Sequence, residues 1–190
     1  MGLQVAGRQA SPGFRDSVER MAGSSPLACF QCGKCGAGCP LKENLDLTPS
    51  QIMHLVRLDQ EEAVLGCKSI WLCASCETCT TRCPQDVDIA RVMDACRGLA
   101  FHRGVKPGVP SVASFYKATY GNLKKFGRMF EAMLLASLKM RTGEYTKDME
   151  LGMDMLKKGK LSMLPSFARV FQTRAIFKKA MKIERERAKK

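Results

Sequence analysis

A mainly α-helical protein is predicted, with a cysteine-rich module in front and a basic helical extension behind. Three observations carry that prediction. Apolar residues recur at a 3–4 spacing from residue 49 onward, while nothing in residues 27–104 alternates for long as a half-buried strand would. All ten cysteines lie in the first part of the chain. Residues 1–104 hold eleven Lys/Arg and eleven Asp/Glu, and residues 105–190 hold twenty against seven, so the whole formal charge of +13 sits in the second part. With 190 residues, 45% hydrophobic and 26% charged, the composition is that of a folded protein rather than a disordered one.

Residues 1–26, rich in Gly, Ser, Pro and Gln, are expected to be a mobile or partner-dependent arm, with a turn of helix over Phe14–Met21. Residues 27–104 form the cysteine-rich domain. Within it, Thr48 is the expected N-cap of a helix with Pro49 at N1 and Gln51 completing a capping box. Ile52, Leu55, Val56 and Leu58 continue that helix to about Leu65, before Gly66. Asp86 or Asp88 caps another helix, whose apolar face is Ile89, Val92, Met93, Cys96 and Leu99 and which ends near Gly104.

Pro107-Gly108-Val109-Pro110 is the strongest breaker and marks the boundary. Beyond it, in residues 105–190, one long helix is expected from Val112 through Phe115, Tyr116, Leu123, Phe126, Phe130 and Leu134 to Leu138, bent at Gly121 and Gly127. A second covers about Glu144–Lys158, stopped by Gly159, and Lys160–Pro165 is extended. A third runs from Ser166 to the terminus, with Phe167, Val170, Phe171, Ile176 or Phe177, and Met181 on one side.

The chemistry lies in an internal repeat. Cys29-Phe-Gln-Cys32-Gly-Lys-Cys35-Gly-Ala-Gly-Cys39-Pro40 matches Cys73-Ala-Ser-Cys76-Glu-Thr-Cys79-Thr-Thr-Arg-Cys83-Pro84 cysteine for cysteine. Three cysteines at i, i+3 and i+6 let a short loop place three thiolates around one iron–sulfide cube, and the proline after the fourth turns the chain away. In two-cluster ferredoxins the fourth cysteine of each run ligates the other cluster. That rule assigns Cys29, Cys32, Cys35 and Cys83 to one [4Fe–4S] cluster, and Cys73, Cys76, Cys79 and Cys39 to a second. Gly33, Gly36, Ala37 and Gly38 are small enough to let backbone amides approach sulfur. Structural zinc and disulfides are the competing readings, but eight cysteines in triplet-plus-one order suit two cubanes better.

Of the remaining cysteines, Cys96 lies on an apolar helix face and is expected to be inert, and Cys67 is expected to be a free thiol outside the repeat. Trp71 and Phe30 either shield clusters or pack in the core. His54 and His102 have no acidic or cysteine neighbour at catalytic spacing and are expected at the surface. No nucleophile–base pair, phosphate loop or pair of catalytic carboxylates is legible, so no catalytic residue is assigned and electron transfer is the expected role.

The N-terminus has no signal-peptide core, and Ala6 stands where myristoylation needs Ser or Thr. The longest apolar run, Met129–Leu138, is too short to span a membrane and contains Glu131. A cytoplasmic protein is therefore expected. Eight of the twelve methionines lie beyond residue 104 among Phe and Lys, which suits helices that pack against partner subunits. Nucleic-acid binding is not expected, because the tail shows no recognition motif and its aromatics fall on apolar helix faces. Two clusters of about −2 each would make the front module anionic, and the cationic tail complements them.

The paired runs, the capped helix between them and the segment Ile70-Trp71-Leu72-Cys73-Ala74-Ser75-Cys76-Glu77-Thr78-Cys79 resemble the C-type chain of heterodisulfide reductase. Phe126-Gly127-Arg128 and Lys158-Gly159-Lys160-Leu161 through Leu164-Pro165 are also similar, so the resemblance covers about residues 27–165. It implies an alpha-helical ferredoxin core with two [4Fe–4S] clusters. It also implies a flavin-based, electron-bifurcating complex in which this subunit relays single electrons between a flavin-containing A-type subunit and a disulfide-reducing B-type subunit. The CCG modules of the B-type subunit are missing here, so disulfide reduction is not expected on this chain. The cysteine runs alone are shared with iron–sulfur subunits of succinate and glycerol-3-phosphate dehydrogenases, and a membrane or quinone-linked complex is the alternative.

Overall fold

The computed structural model describes residues 13–143, 149–160 and 170–189, all helix, turn or loop, with no strand among them. The chain divides into two compact units, Met1–Val109 and Pro110–Lys190, within the Pro-Gly-Val-Pro segment.

In the first unit, α1 (Phe14–Ala22) buries Phe14, Val18 and Ala22. The described part of the expected mobile arm is therefore a packed helix, and residues 1–12 lie outside the described residues. Hydrophobic spacing of 4 within the arm, at positions 14, 18 and 22, is what lets it dock. Two short helices, α2 (Lys34–Ala37) and α3 (Pro49–Arg57), follow. The capping box at the start of α3 is formed: Thr48 N donates to Gln51 Oε1 at 2.8 Å, and Gln51 N donates to Thr48 Oγ1 at 3.4 Å.

The helix expected to run to Leu65 is instead two, α3 and α4 (Glu61–Gly66). Asp59 between them adopts a left-handed φ of 55°, and its carboxylate accepts the Arg15 N–H at 2.7 Å. The break thus provides the acceptor that the first turn of α1 needs. Gly13 makes room for it, since a Cβ there would lie 3.0 Å from Asp59 Oδ1.

Then come α5 (Ser69–Leu72), α6 (Thr78–Thr81) and α7 (Ile89–His102). Asp88, not Asp86, caps α7, accepting from Arg91 N at 3.1 Å. Asp86 has a left-handed φ of 50° two residues upstream. Helix α7 is the axis of the unit: α1, α3, α4, α5 and α6 all pack on it. Ile89, Ala90, Val92, Met93, Ala95, Cys96, Arg97, Leu99 and Ala100 are all buried, so the helix is covered round most of its circumference rather than on one face. Trp71 also belongs to this core, 2% exposed and edge-on to Phe101 with ring centroids 4.9 Å apart.

In the second unit the single long helix is broken rather than bent. Helices α8 (Pro110–Phe126) and α9 (Glu131–Thr142) pack on one another across a turn at Gly127, whose φ is 77°. Buried Asn122 holds that turn, donating to Phe130 O at 2.9 Å and accepting from Phe130 N at 2.8 Å. Helix α10 (Met149–Lys157) ends before Gly159, and α11 (Val170–Lys189) packs on α8. The segment expected to be extended, beyond Lys160, lies outside the described residues.

The contact face of α11 agrees with expectation at Val170 and, of the two alternatives Ile176 and Phe177, at Phe177, and differs at Phe171. Val170 is buried, Thr173 donates to Gly127 O at 2.8 Å and Phe177 meets Tyr120 edge-on at 5.2 Å. Phe171 and Ile176 are exposed. A spacing of 3 then 4, at positions 170, 173 and 177, wins over the alternative apolar face because Thr173 supplies a hydrogen bond to the α8–α9 turn.

Candidate metal centre

The two cysteine runs fold into the same backbone shape. Gln31 and Ser75 have left-handed φ values of 59° and 49°, and two residues later Gly33 and Glu77 have 77° and 60°. Each run then enters a one-turn helix, α2 or α6, and the two short helices touch each other. Successive left-handed residues curl the loop so that side chains three apart face a common interior.

Two hollows result. The first is lined by Cys29, Cys32, Cys35 and Cys83, with Phe30, Lys34, Ser50 and Ile89 on its walls. The second is lined by Cys73, Cys76, Cys79 and Cys39, with Leu45, Pro49, Ala90 and Met93. Each therefore takes three cysteines from one repeat and the fourth from the other. Helices α3 and α7 give these walls apolar or small residues, Ser50 and Ile89 to the first and Pro49, Ala90 and Met93 to the second, and Cys32 and Cys76 are the exposed thiols of the two sets.

No group of three or more His, Cys, Asp or Glu side chains among the described residues converges closely enough for one metal ion. Single-ion zinc needs such convergence, with four ligands at about 2.0–2.3 Å from one centre. A cube carrying an iron at each of four corners instead needs four thiolates spread round a hollow, which is the donor set present here. The residues fit the cubane.

Local contacts hold the loops. Gly36 is required by close approach to α3: a Cβ there would lie 2.9 Å from Ser50 Oγ and 3.3 Å from Thr48 Cβ. Gln31 Nε2 donates to Cys29 Sγ at 3.3 Å, and Cys76 Sγ lies 3.4 Å from Thr78 Oγ1. The Asp46 carboxylate, in the loop after Cys39, accepts from Lys68 N at 2.8 Å, Ser69 N at 3.0 Å and Ser69 Oγ at 2.5 Å. It thereby ties the loop beyond the first repeat to the start of α5, immediately before Cys73. Sequence reading misses Asp46, because its partners lie more than 20 residues away and no local pattern signals them.

Ionisation follows burial. Burial pushes the Cys79 thiol up to about 11 and raises Cys35, whereas hydrogen bonds from Thr78 lower Cys76. Burial would raise Asp46, but the donors of Ser69, Lys68 and Leu47 outweigh it and hold its carboxyl below the ordinary value of 3.8. Cys67 and Cys96 line neither hollow; both are buried, and burial raises both thiols. His54 and His102 are exposed and line neither hollow. Phe30 stands at the first hollow but is 57% exposed, so it covers that site only in part.

Known proteins point the same way. Residues 28–88 match the model of the 4Fe-4S dicluster domain family. The C-type chain of the H(2):CoB-CoM heterodisulfide,ferredoxin reductase of Methanothermobacter thermautotrophicus is 29% identical over 103 residues, 54% of this chain and 56% of that protein. The second C-type iron-sulfur chain of the CoB--CoM heterodisulfide reductase of Methanocaldococcus jannaschii is 28% identical over 150 residues, 74% of this chain and 77% of that protein. The C-type iron-sulfur chain of the CoB--CoM heterodisulfide reductase of Methanopyrus kandleri is 35% identical over 80 residues, 42% of each chain. Apart from the Methanocaldococcus match, the chain spans about half the length of the curated relatives it matches, or less. Among the described residues no helix is long and apolar enough to cross a membrane. An all-helical core with two [4Fe–4S] clusters, similar to the C-type chains of heterodisulfide reductases, is what sequence, fold and relatives together establish for this chain.

Proposed function

We propose that the chain is the electron-transfer subunit of a heterodisulfide-reductase-type complex, passing single electrons between a flavin-containing A-type subunit and a disulfide-reducing B-type subunit. The observation that carries this is the pair of hollows, each with three cysteines from one repeat and one from the other. Cys29, Cys32, Cys35 and Cys83 hold one cluster, and Cys73, Cys76, Cys79 and Cys39 hold the second. Such clusters supply one-electron oxidation and reduction without proton or group transfer.

The residues of the chain hold, orient and insulate. Apolar walls from Ile89, Ala90 and Met93 keep water from the α7 side of the hollows. Glycines and left-handed turns bring the backbone close to sulfur. No substrate chemistry takes place on this chain. Residues 27–104 form the cluster domain and residues 105–190 a basic helical extension that packs with partner subunits in the cytoplasm. Support for that second role comes from apolar side chains left exposed there, including Met140, Leu151 and Met153.

The test is anaerobic purification with iron analysis and EPR of Cys83→Ser. Loss of the signal of the first-repeat cluster, with the second retained, is expected. Loss of the second cluster instead would overturn the ligand sets. Co-purification with a flavoprotein and a CCG-containing protein is expected from the native host; a quinone-linked membrane anchor in their place would move the chain to a respiratory complex.

A further inference from the structure

Arg97 on α7 is 8% exposed, one of few charged side chains buried among the described residues. Its Nε donates to Ile70 O at 2.7 Å and its Nη2 to Cys73 O at 2.9 Å, while Nη1 pairs with Asp94 at 3.1 Å. Asp94 in turn accepts from Ser75 Oγ at 3.0 Å. A charged network therefore runs from Ser75 through Asp94 and Arg97 to Cys73, gripping the second cysteine loop on both sides of its first turn. The same helix supplies Ala90 and Met93 to the wall of the second hollow.

The first repeat is built differently at the matching place. Counting back from the first cysteine, Pro26 corresponds to Ile70, and Pro26 O accepts from the neutral backbone N–H of Cys29 at 3.2 Å. One loop thus has a guanidinium behind its leading carbonyls, and the other a peptide amide.

A guanidinium stays charged at any pH the protein meets, and burial strengthens its field at short range. Asp94 offsets that charge only in part, because its side chain is 52% exposed and water screens it. Net charge and hydrogen bonding near the sulfurs are among the factors that set cluster potentials. An electron added in the second hollow places negative charge against the loop whose Cys73 carbonyl Arg97 holds. We propose that Arg97 is a positioning residue that makes the second site the easier of the two to reduce, so that the electron rests there and the first site holds it only in passage. This rests on the ligand reading above.

The experiment uses the full chain with both clusters loaded, titrated anaerobically and followed by EPR. Cys39→Ser identifies which signal belongs to the second hollow. Arg97→Gln is expected to make that site at least tenfold harder to reduce, a fall of about 59 mV for one electron, with a smaller change at the first. Asp94→Asn, at a more exposed position, is expected to move the same midpoint upward by uncovering the charge. Arg97→Lys keeps the charge without the forked donation to two carbonyls, and is expected to recover part of the loss.

A purely structural Arg97 would leave the second midpoint unmoved in Arg97→Gln, or give Arg97→Lys the same midpoint as Arg97→Gln, and either result would overturn the proposal. Equal shifts at both sites would overturn it as well. If Arg97→Gln loses the second cluster, the two midpoints of the unmodified chain still decide: a second site no easier to reduce than the first would overturn the proposal. Failure of the ligand reading would show separately, as fewer than two cubanes by iron analysis in the unmodified chain or as loss of the first-repeat signal in Cys39→Ser.

Discussion

Gly33 and Glu77 occupy the same place in the two repeats, both with left-handed backbone, yet only one is glycine. A Cβ on Gly33 would touch nothing within 4 Å, so its substitution isolates the backbone contribution. Gly33→Ala should cost about 1–2 kcal/mol, and Glu77→Gly should relieve part of a similar strain, both read by denaturant unfolding of the cluster-loaded chain. The cysteines themselves are legible from their spacing; the exchange of the fourth between repeats comes from the rule for two-cluster ferredoxins, and each hollow is lined by the set which that rule names. The left-handed positions at Gln31 and Ser75 are not legible, because neither residue type announces that conformation. Asp46 is equally hidden. Its carboxyl titrates below 3.8 in the fold and at its ordinary value when unfolded, so its contribution is present above about pH 4 and lost as pH falls through the folded value. Asp46→Ala should therefore destabilise the chain at pH 7 by about 1–2 kcal/mol, the low end because water reaches the group, and the difference should narrow in acid unfolding measurements as pH falls through the folded value.

At the level of elements, starts are legible and interruptions are not. Thr48, Pro49 and Gln51 mark α3 because capping is local, involving atoms within three residues. The break between α3 and α4 depends on α1, which places Arg15 N against Asp59, and no local pattern in residues 49–65 contains that partner. Gly127 reads as a bend and is a full reversal point, because Asn122 gives the turn two hydrogen bonds that compensate the helix ends. Asn122→Ala leaves the Phe130 N–H without its acceptor, while Phe130 O keeps the Leu134 N–H, and should cost about 1–3 kcal/mol, seen as lost hydrogen-exchange protection at the ends of α8 and α9. Helix α11 shows that periodicity alone leaves the stripe open: it offers Val170 and Phe177, which pack, together with Phe171 and Ile176, which do not. Phe171 and Ile176 are as apolar as the residues that pack, and what distinguishes the true face is Thr173, a polar residue.

Across the whole molecule, the charge division and the cysteine division coincide: a neutral first part with every cysteine and a second part carrying the surplus of thirteen positive charges. Cluster loading changes the first part most. Cys79 is pushed up to about 11 and Cys35 is raised, so in the cluster-free chain both thiols are protonated at neutral pH. Ligation requires thiolates, so loading should release protons, and stripping the clusters with a chelator should take them up. Weakly buffered titration at pH 7 is expected to detect that release; reconstitution without it would mean the thiols were already ionised. The loop geometry also carries a consequence for how the chain is made. On the ribosome, Cys29, Cys32 and Cys35 emerge well before Cys83, the fourth cysteine of the same hollow. A cluster delivered to the nascent first loop would meet a site with one corner open to solvent. On the proposed ligand sets, that corner closes only when the second repeat has left the exit tunnel and folded against the first, so the first cluster is completed after the whole domain has been made.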